Sequence, residues 1–168
     1  MIVVIMGVSG CGKSSVGQAI ADQTGWTFIE GDDLHPAANR AKMASSTPLD
    51  DTDRWPWLDI IADAARTVEA KGGSAIVACS ALKRIYRERL AQAGESVKFI
   101  HLDGDRTTIL ERMQARADHF MPPALLDSQL ATLEPPGDDE PAVRIEITLP
   151  VDEIAQQAMR MLATTDPA

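Results

Sequence analysis

Residues 7–15 read GVSGCGKSS. The spacing Gly7-x-x-x-x-Gly12-Lys13-Ser14 suits a multiply charged phosphate, which needs many donors at short range. Gly7, Gly10 and Gly12 open backbone bends closed to other residues, so successive N–H groups can converge on an anion. A helix opening near Lys13 adds the positive end of its dipole. Lys13 has the reach to meet β- and γ-phosphates, and the Ser14 hydroxyl can ligate Mg²⁺. The loop that would cradle a nucleoside triphosphate is therefore Gly7, Val8, Ser9, Gly10, Cys11, Gly12, Lys13, Ser14 and Ser15. The competing reading is a glycine-rich turn that binds nothing. The context opposes it: an apolar run, Ile2 to Met6, precedes the loop, and Val16, Ala19 and Ile20 follow at helical spacing. A dinucleotide fingerprint fits less well, because Ser15 stands where its third glycine belongs.

Other chemistry-bearing residues follow the predicted strands. After the second comes Glu30-Gly31-Asp32-Asp33-Leu34-His35-Pro36. A carboxylate here could accept a proton from a substrate hydroxyl or hold a water on Mg²⁺. Helix capping by Asp32 or Asp33 is the competing reading for one of them. After the third comes Cys79-Ser80-Ala81-Leu82-Lys83-Arg84-Ile85-Tyr86-Arg87. Ser80 is a candidate helix cap, and Lys83 and Arg87, four apart, share a helix face and read as an anion site. Leu82, Tyr86 and Leu90 share another face and are expected to pack. Arg84 and Arg89 read as solvated. Arg54 precedes an apolar stripe at Leu58, Ile61, Ala65 and Val68 and could point into the cleft. Arg112 and Arg116, one turn apart, lead into Asp118-His119-Phe120-Met121-Pro122-Pro123, which reads as a mobile lid over 112–123 that would bring positive charge to a transferring phosphoryl group. Surface pairing of these arginines with Glu111 or Asp118 competes with that reading.

The elements that must position these groups alternate. Strands are predicted at 2–6, 27–30, 75–79, 97–102 and 144–148. Helices are predicted at 13–23, 53–70, 81–93, 106–117, 122–133 and 151–163. Alternation implies an α/β fold, a mostly parallel five-stranded sheet with helices on both faces. Such sheets bind ligands beyond the carboxyl ends of their strands. The 168 residues suit one domain over 1–168. A net charge of −9 argues against nucleic acid as a partner. No apolar run approaches the ~20 residues of a membrane span. The apolar N-terminal run lacks a basic flank and leads straight into the glycine loop, unlike a secretory signal. The two cysteines, Cys11 and Cys79, read as reduced thiols of a cytoplasmic chain.

The segments GVSGCGKS, FIEGDDLHPAANRAKM, DTDRWPWL, CSALKRIYRERL and HFMPPALLDSQLATLEPP resemble the gluconokinases, a P-loop kinase family of the nucleoside-monophosphate-kinase-like group related to shikimate kinases. The glycine loop is shared with many families; GDxLHP, DRxPWL, CSALKxxYR and HFMP are far more specific. Two residues depart from the family pattern. Cys11 replaces the usual serine, and Ser46 lies where the family usually has a glycine. The resemblance implies phosphorylation of D-gluconate at its 6-hydroxyl by ATP with Mg²⁺. It implies catalytic roles for Asp32, as base, and for Lys13, Arg112 and Arg116. It places Asp32, His35, Arg54, Ser80, Lys83 and His119 on the acceptor side, and Ser14 and Glu30 at the metal. A homodimer is an expectation of the family alone. The rival readings are a kinase for another small metabolite such as shikimate, and a P-loop regulatory switch. No Asn-Lys-x-Asp guanine motif supports the latter.

Overall fold

A computed structural model describes residues 1–115 and 123–164. Its centre is a parallel sheet of β1 (Ile2–Met6), β2 (Thr27–Glu30), β3 (Ala75–Ala78), β4 (Val97–Asp103) and β5 (Ala142–Glu146). The strand order is β2-β3-β1-β4-β5. β1 is central: Val4 lies opposite Val77 on one side and Phe99 on the other. Every residue of β1 and β3 is buried. That explains why both read as unbroken apolar runs rather than alternating ones.

The helices are α1 (Lys13–Thr24), α2 (Ala37–Ala44), α3 (Asp51–Ala70), α4 (Arg84–Ala91), α5 (Arg106–Gln114), α6 (Pro123–Thr132) and α7 (Val151–Thr164). One core packs Val3, Ile5, Ile100 and Ile145 of the sheet against Val16 and Ile20 of α1, Ile109 of α5, Leu126 of α6 and Ile154 and Ala158 of α7. The opposite core packs Val4, Val77 and Phe99 against Leu58 and Ile61 of α3 and Tyr86 and Leu90 of α4. Helices therefore cover both faces, as expected.

Several boundaries differ from the sequence reading for local physical reasons. α3 starts two residues early because Asp50 and Asp53 form a reciprocal capping box. Pro56 lies inside it, near enough to the start that only the bond to the Thr52 carbonyl is forgone. α4 starts three residues late. Ala81 has a positive φ of 43° and Lys83 is extended, so the helix cannot begin before Arg84. Ser80 consequently caps nothing. α2 and a 3-10 turn at Gly31–Leu34 lie where the sequence predicts no element. β5 begins two residues earlier than expected.

Candidate active site

The carboxyl ends of β1, β2, β3 and β4 carry the candidate residues, and the glycine loop sits at the centre. Gly12 holds φ 100° as it opens α1. Gly7 has φ 139°, and a side chain there would lie 2.7 Å from the Leu102 carbonyl oxygen, so only glycine serves. The Gly7 N–H donates to the Ser80 carbonyl at 3.2 Å, which ties the loop to the end of β3. Lys13 Nζ donates to the carbonyls of Gly7 and Val8 at 3.1 Å each. The ammonium is thus folded over the loop it would serve. Ser14 and Ser15 are exposed in the first turn of α1. Cys11 is fully buried, so only its backbone faces a phosphate.

The acidic turn follows β2. Gly31 is buried so tightly that a side chain would strike the Ala78 carbonyl. The Trp57 Nε1–H donates to the Gly31 carbonyl at 2.7 Å, pinning the turn to α3. Glu30 has no side-chain capping bond, and neither Asp32 nor Asp33 caps a helix; both lie within the 3-10 turn. Asp32 projects outward, with its side chain 82% exposed. His35 beneath it is buried and stacks on Trp57, with ring centroids 4.1 Å apart and planes 14° from parallel. Burial lowers the His35 pKa, and the nearby Arg54 and Arg40 push the same way against Asp32.

A third cluster joins α3 and α4. Lys83 Nζ donates to both Asp51 carboxylate oxygens, at 2.7 and 3.0 Å, and the Tyr86 hydroxyl donates to Asp51 as well. These donors hold the Asp51 pKa below the usual carboxylate range. Arg54 lies over the other side of this group, with Cζ 5.7 Å from the Tyr86 ring centre. The Cys79 thiol marks where the clusters meet. Burial pushes its pKa up to about 12, and Asp32, Lys13 and Arg54 all act on it electrostatically. Such a thiol is not a nucleophile.

Several expectations resolve differently. Arg87 is not part of an anion site: it is 1% exposed and its guanidinium pairs with Glu140 at 2.5 and 2.9 Å. Arg84 pairs with Glu88 and Asp139, and Arg89 with Asp59, all as exposed pairs. Arg112 does not pair with Glu111. Its guanidinium donates to the carbonyls of Ile147 and Leu149 beyond β5 and lies 3.7 Å from where a Gly12 side chain would be. Arg116 and His119 lie outside the described residues, as does much of the expected lid. Two site residues carried no recognisable signal. The Gln129 amide oxygen accepts from the Ser9 N–H at 2.7 Å, and its Nε2 donates to the Ser9 hydroxyl, so α6 grips the glycine loop. Asn39 is buried beside His35. No group of three or more His, Cys, Asp or Glu among the described residues could by itself hold a metal. No helix among them is long and apolar enough to cross a membrane.

A parallel sheet in this order, with a phosphate-type loop opening α1 and an acidic turn beside it, defines a P-loop small-molecule kinase. Residues 2–136 match the profile of a family described as an AAA domain. Within that class, the chain belongs to the gluconokinase family. It is 45% identical to the gluconokinase of Gluconobacter oxydans, over 97% of this chain and 92% of that protein. It is 46% identical to the thermosensitive gluconokinase of Escherichia coli, over 92% and 83%. Among solved structures, a gluconokinase from Sinorhizobium meliloti superposes with a TM-score of 0.88 at 45% identity, covering 96% of this chain and 91% of that one. The shikimate kinase of Aquifex aeolicus, at 13% identity and a TM-score of 0.58, shares the fold alone.

Proposed function

We propose that the protein transfers the γ-phosphoryl group of ATP to the 6-hydroxyl of D-gluconate, giving 6-phospho-D-gluconate and ADP. The observation that carries the reading is the meeting of Lys13, Asp32 and Arg54 around Cys79. It sets a phosphate-binding cation, a carboxylate and a second cation around one point at the sheet's carboxyl edge. The backbone of residues 7–15 binds the phosphates, and Lys13 leaves its own loop carbonyls to meet the γ-phosphate. Arg54 pairs with the acceptor's carboxylate, for which a planar guanidinium fork is suited. Asp32 orients the 6-hydroxyl. The 6-oxygen then bonds to the γ-phosphorus as the bond to the β,γ-bridging oxygen breaks. The hydroxyl proton passes to Asp32 late in transfer. His35, Ser80, Lys83 and His119 complete the acceptor side.

Ser14 and Glu30 are the oxygen donors placed to hold Mg²⁺. So small a protein set suits an ion that takes its remaining ligands from water and nucleotide phosphates, where it supplies charge neutralisation. Arg112 and Arg116 act as the lid segment 112–123 closes, adding positive charge as equatorial oxygens become electron-rich. A cytoplasmic homodimer formed of single 168-residue domains accompanies this reading. An ADP-release screen across gluconate, shikimate, glucose, glycerate and nucleoside monophosphates tests it. Turnover is expected with gluconate at a kcat/KM well above the others. Faster turnover of shikimate or a nucleotide would replace the substrate, and nucleotide hydrolysis independent of any acceptor would point to a switch.

A further inference from the structure

Asp32 is a poorly held base. Its side chain is 82% exposed, and an exposed carboxylate samples several rotamers. In-line phosphoryl transfer needs one of them. The residues behind Asp32 form a relay that selects it.

The relay starts at Asn39, on α2. Its Nδ2 donates to the Asp53 backbone carbonyl at 2.9 Å. A carbonyl only accepts, so the amide must turn its nitrogen this way. The same nitrogen lies 3.3 Å from His35 Nδ1. With one amide hydrogen on Asp53, the other points at Nδ1, which must therefore be the unprotonated, accepting nitrogen of a neutral ring. The ring proton is then on Nε2, and Nε2 lies 3.9 Å from Asp32 Oδ1. That is just beyond hydrogen-bond length, and a small rotation of the exposed Asp32 closes it.

The ring itself cannot turn away. Trp57 covers its face, and the Trp57 indole also holds the Gly31 carbonyl of the same turn. Arg40 of α2 donates to the His35 carbonyl. The charged groups acting on the imidazole are Asp32 from the turn, Arg54 from α3 and Arg40 from α2. Burial and the two arginines keep it neutral, which the tautomer argument requires.

We infer that Asn39 and His35 are positioning residues: Asn39 fixes His35 in its Nε2–H tautomer, and that N–H holds Asp32 in the rotamer that receives the acceptor's proton. The inference rests on the reading of Asp32 given above. It accounts for two features of the turn that substrate contact alone does not: a buried histidine with one nitrogen committed to an amide, and an asparagine whose two amide hydrogens are both spent inside the protein.

Two measurements test it. The first is the tautomer itself, read by ¹⁵N NMR on protein labelled at its three histidines, with His35 assigned through loss of its signals in His35→Gln. A neutral ring protonated at Nε2 is expected at pH 7.5. An Nδ1–H ring or an imidazolium at that pH overturns the inference without any assay of turnover. The second is kinetic. His35→Phe keeps the stack on Trp57 but removes the donor, and kcat is expected to fall roughly ten- to a hundredfold, the scale of a misplaced reacting group. ATP affinity by calorimetry should hold. His35→Gln restores a donor near the Nε2 position and recovers the larger part of the loss, which a merely structural role would not do. In an Asp32→Asn background, His35→Phe should add little.

If Asp32→Asn lowers kcat and His35→Phe does not, the positioning role is wrong and the reading of Asp32 stands. If Asp32→Asn itself leaves kcat intact, that reading fails and the relay has nothing to position.

Discussion

Arg54 and Lys83 flank the same Tyr86 ring, their cationic groups 5.7 and 5.5 Å from its centre, but Asp51 neutralises only Lys83. Among the described residues Arg54 has no carboxylate partner, so it is the cation left to meet an added anion. The same 6-hydroxyl on glucose comes without a carboxylate and leaves Arg54 unpaired. Stranding a buried charge costs about 3–5 kcal/mol. Arg54 is only half-buried, and solvent screening takes the lower end or less. The expected preference for gluconate over glucose is then on the order of a hundredfold in kcat/KM. Arg54→Ala should collapse it by slowing gluconate alone. Lys83→Ala should act differently: it frees Asp51 to repel the substrate's carboxylate, so gluconate suffers through KM. Steady-state kinetics with both sugars decides. An unchanged preference in Arg54→Ala would move the carboxylate contact elsewhere.

The parts of this site that are legible in the sequence are those set by local spacing. The glycine loop is one continuous motif, and its strand and helix lie on either side. Tyr86 and Leu90 are readable as a packing face because α4 is regular where they lie. Spacing places Arg87 with Lys83, whereas its burial depends on Glu140, distant in sequence. Ser80 looks like a cap because nothing local announces the positive φ of Ala81. Asn39 and Gln129 act through partners on other elements, and neither residue type signals that. The helix that carries Asn39 is hidden for a further reason, which lies at its end.

Ser46 follows α2 with φ 57°. Its N–H bonds to the Met43 carbonyl at 3.0 Å, and the Thr47 N–H bonds to the Lys42 carbonyl at 2.8 Å. These two bonds close a helix in the way that ordinarily calls for glycine at the left-handed position. Serine there hides the stop signal, and the gluconokinase resemblance led to a glycine at this place. The left-handed conformation costs an L-residue roughly 1–2 kcal/mol, and glycine's extra chain entropy returns about 0.5–1 kcal/mol of that. Ser46→Gly should therefore stabilise the fold by up to about 1 kcal/mol, raising the Tm by a few degrees. Thermal melts check it, and a lower Tm would mean that the serine side chain itself stabilises the turn.

His101 ends up buried at the carboxyl end of β4 with neither ring nitrogen hydrogen-bonded among the described residues. Burial lowers its pKa, with Arg144 and Arg87 adding to the effect and Asp103 opposing it. Above pH about 6.5 the ring is neutral both folded and unfolded, and contributes no pH dependence. As pH falls below that value the unfolded chain binds a proton that the folded one refuses, so stability is lost. His35 adds to the same slope. His101→Leu should shrink the loss of stability between pH 7 and 5.5, measured by urea unfolding. At pH 7.5 it should also be neutral or stabilising, because an unsatisfied buried polar group costs about 1–3 kcal/mol. A pH slope identical to wild type would place the acid sensitivity in other groups.

Ala81 is a buried alanine at φ 43°, a strained conformation that its surroundings must enforce. Arg87 does so, donating to the carbonyls of Ala81 and Leu82 at 3.2 and 3.3 Å. Glu140 neutralises Arg87 and in turn accepts the Gly137 N–H at 3.0 Å. The turn so held delivers the Ser80 carbonyl to the Gly7 N–H, so the pair braces the phosphate loop from behind. Glu140→Gln keeps an acceptor but leaves the buried guanidinium uncompensated. Breaking such a pair costs about 3–5 kcal/mol, and the Tm should fall by roughly 6–20 °C for a chain of this size. Replacing both residues, as in Arg87→Met with Glu140→Leu, removes the stranded charge and should return much of the stability. It does not return the two donors on the Ala81 turn. ATP should therefore bind more weakly to the double variant by calorimetry even though its Tm recovers. A double variant with wild-type ATP affinity would show that the Ala81 turn keeps its shape unaided, and the ion pair would then serve the fold alone.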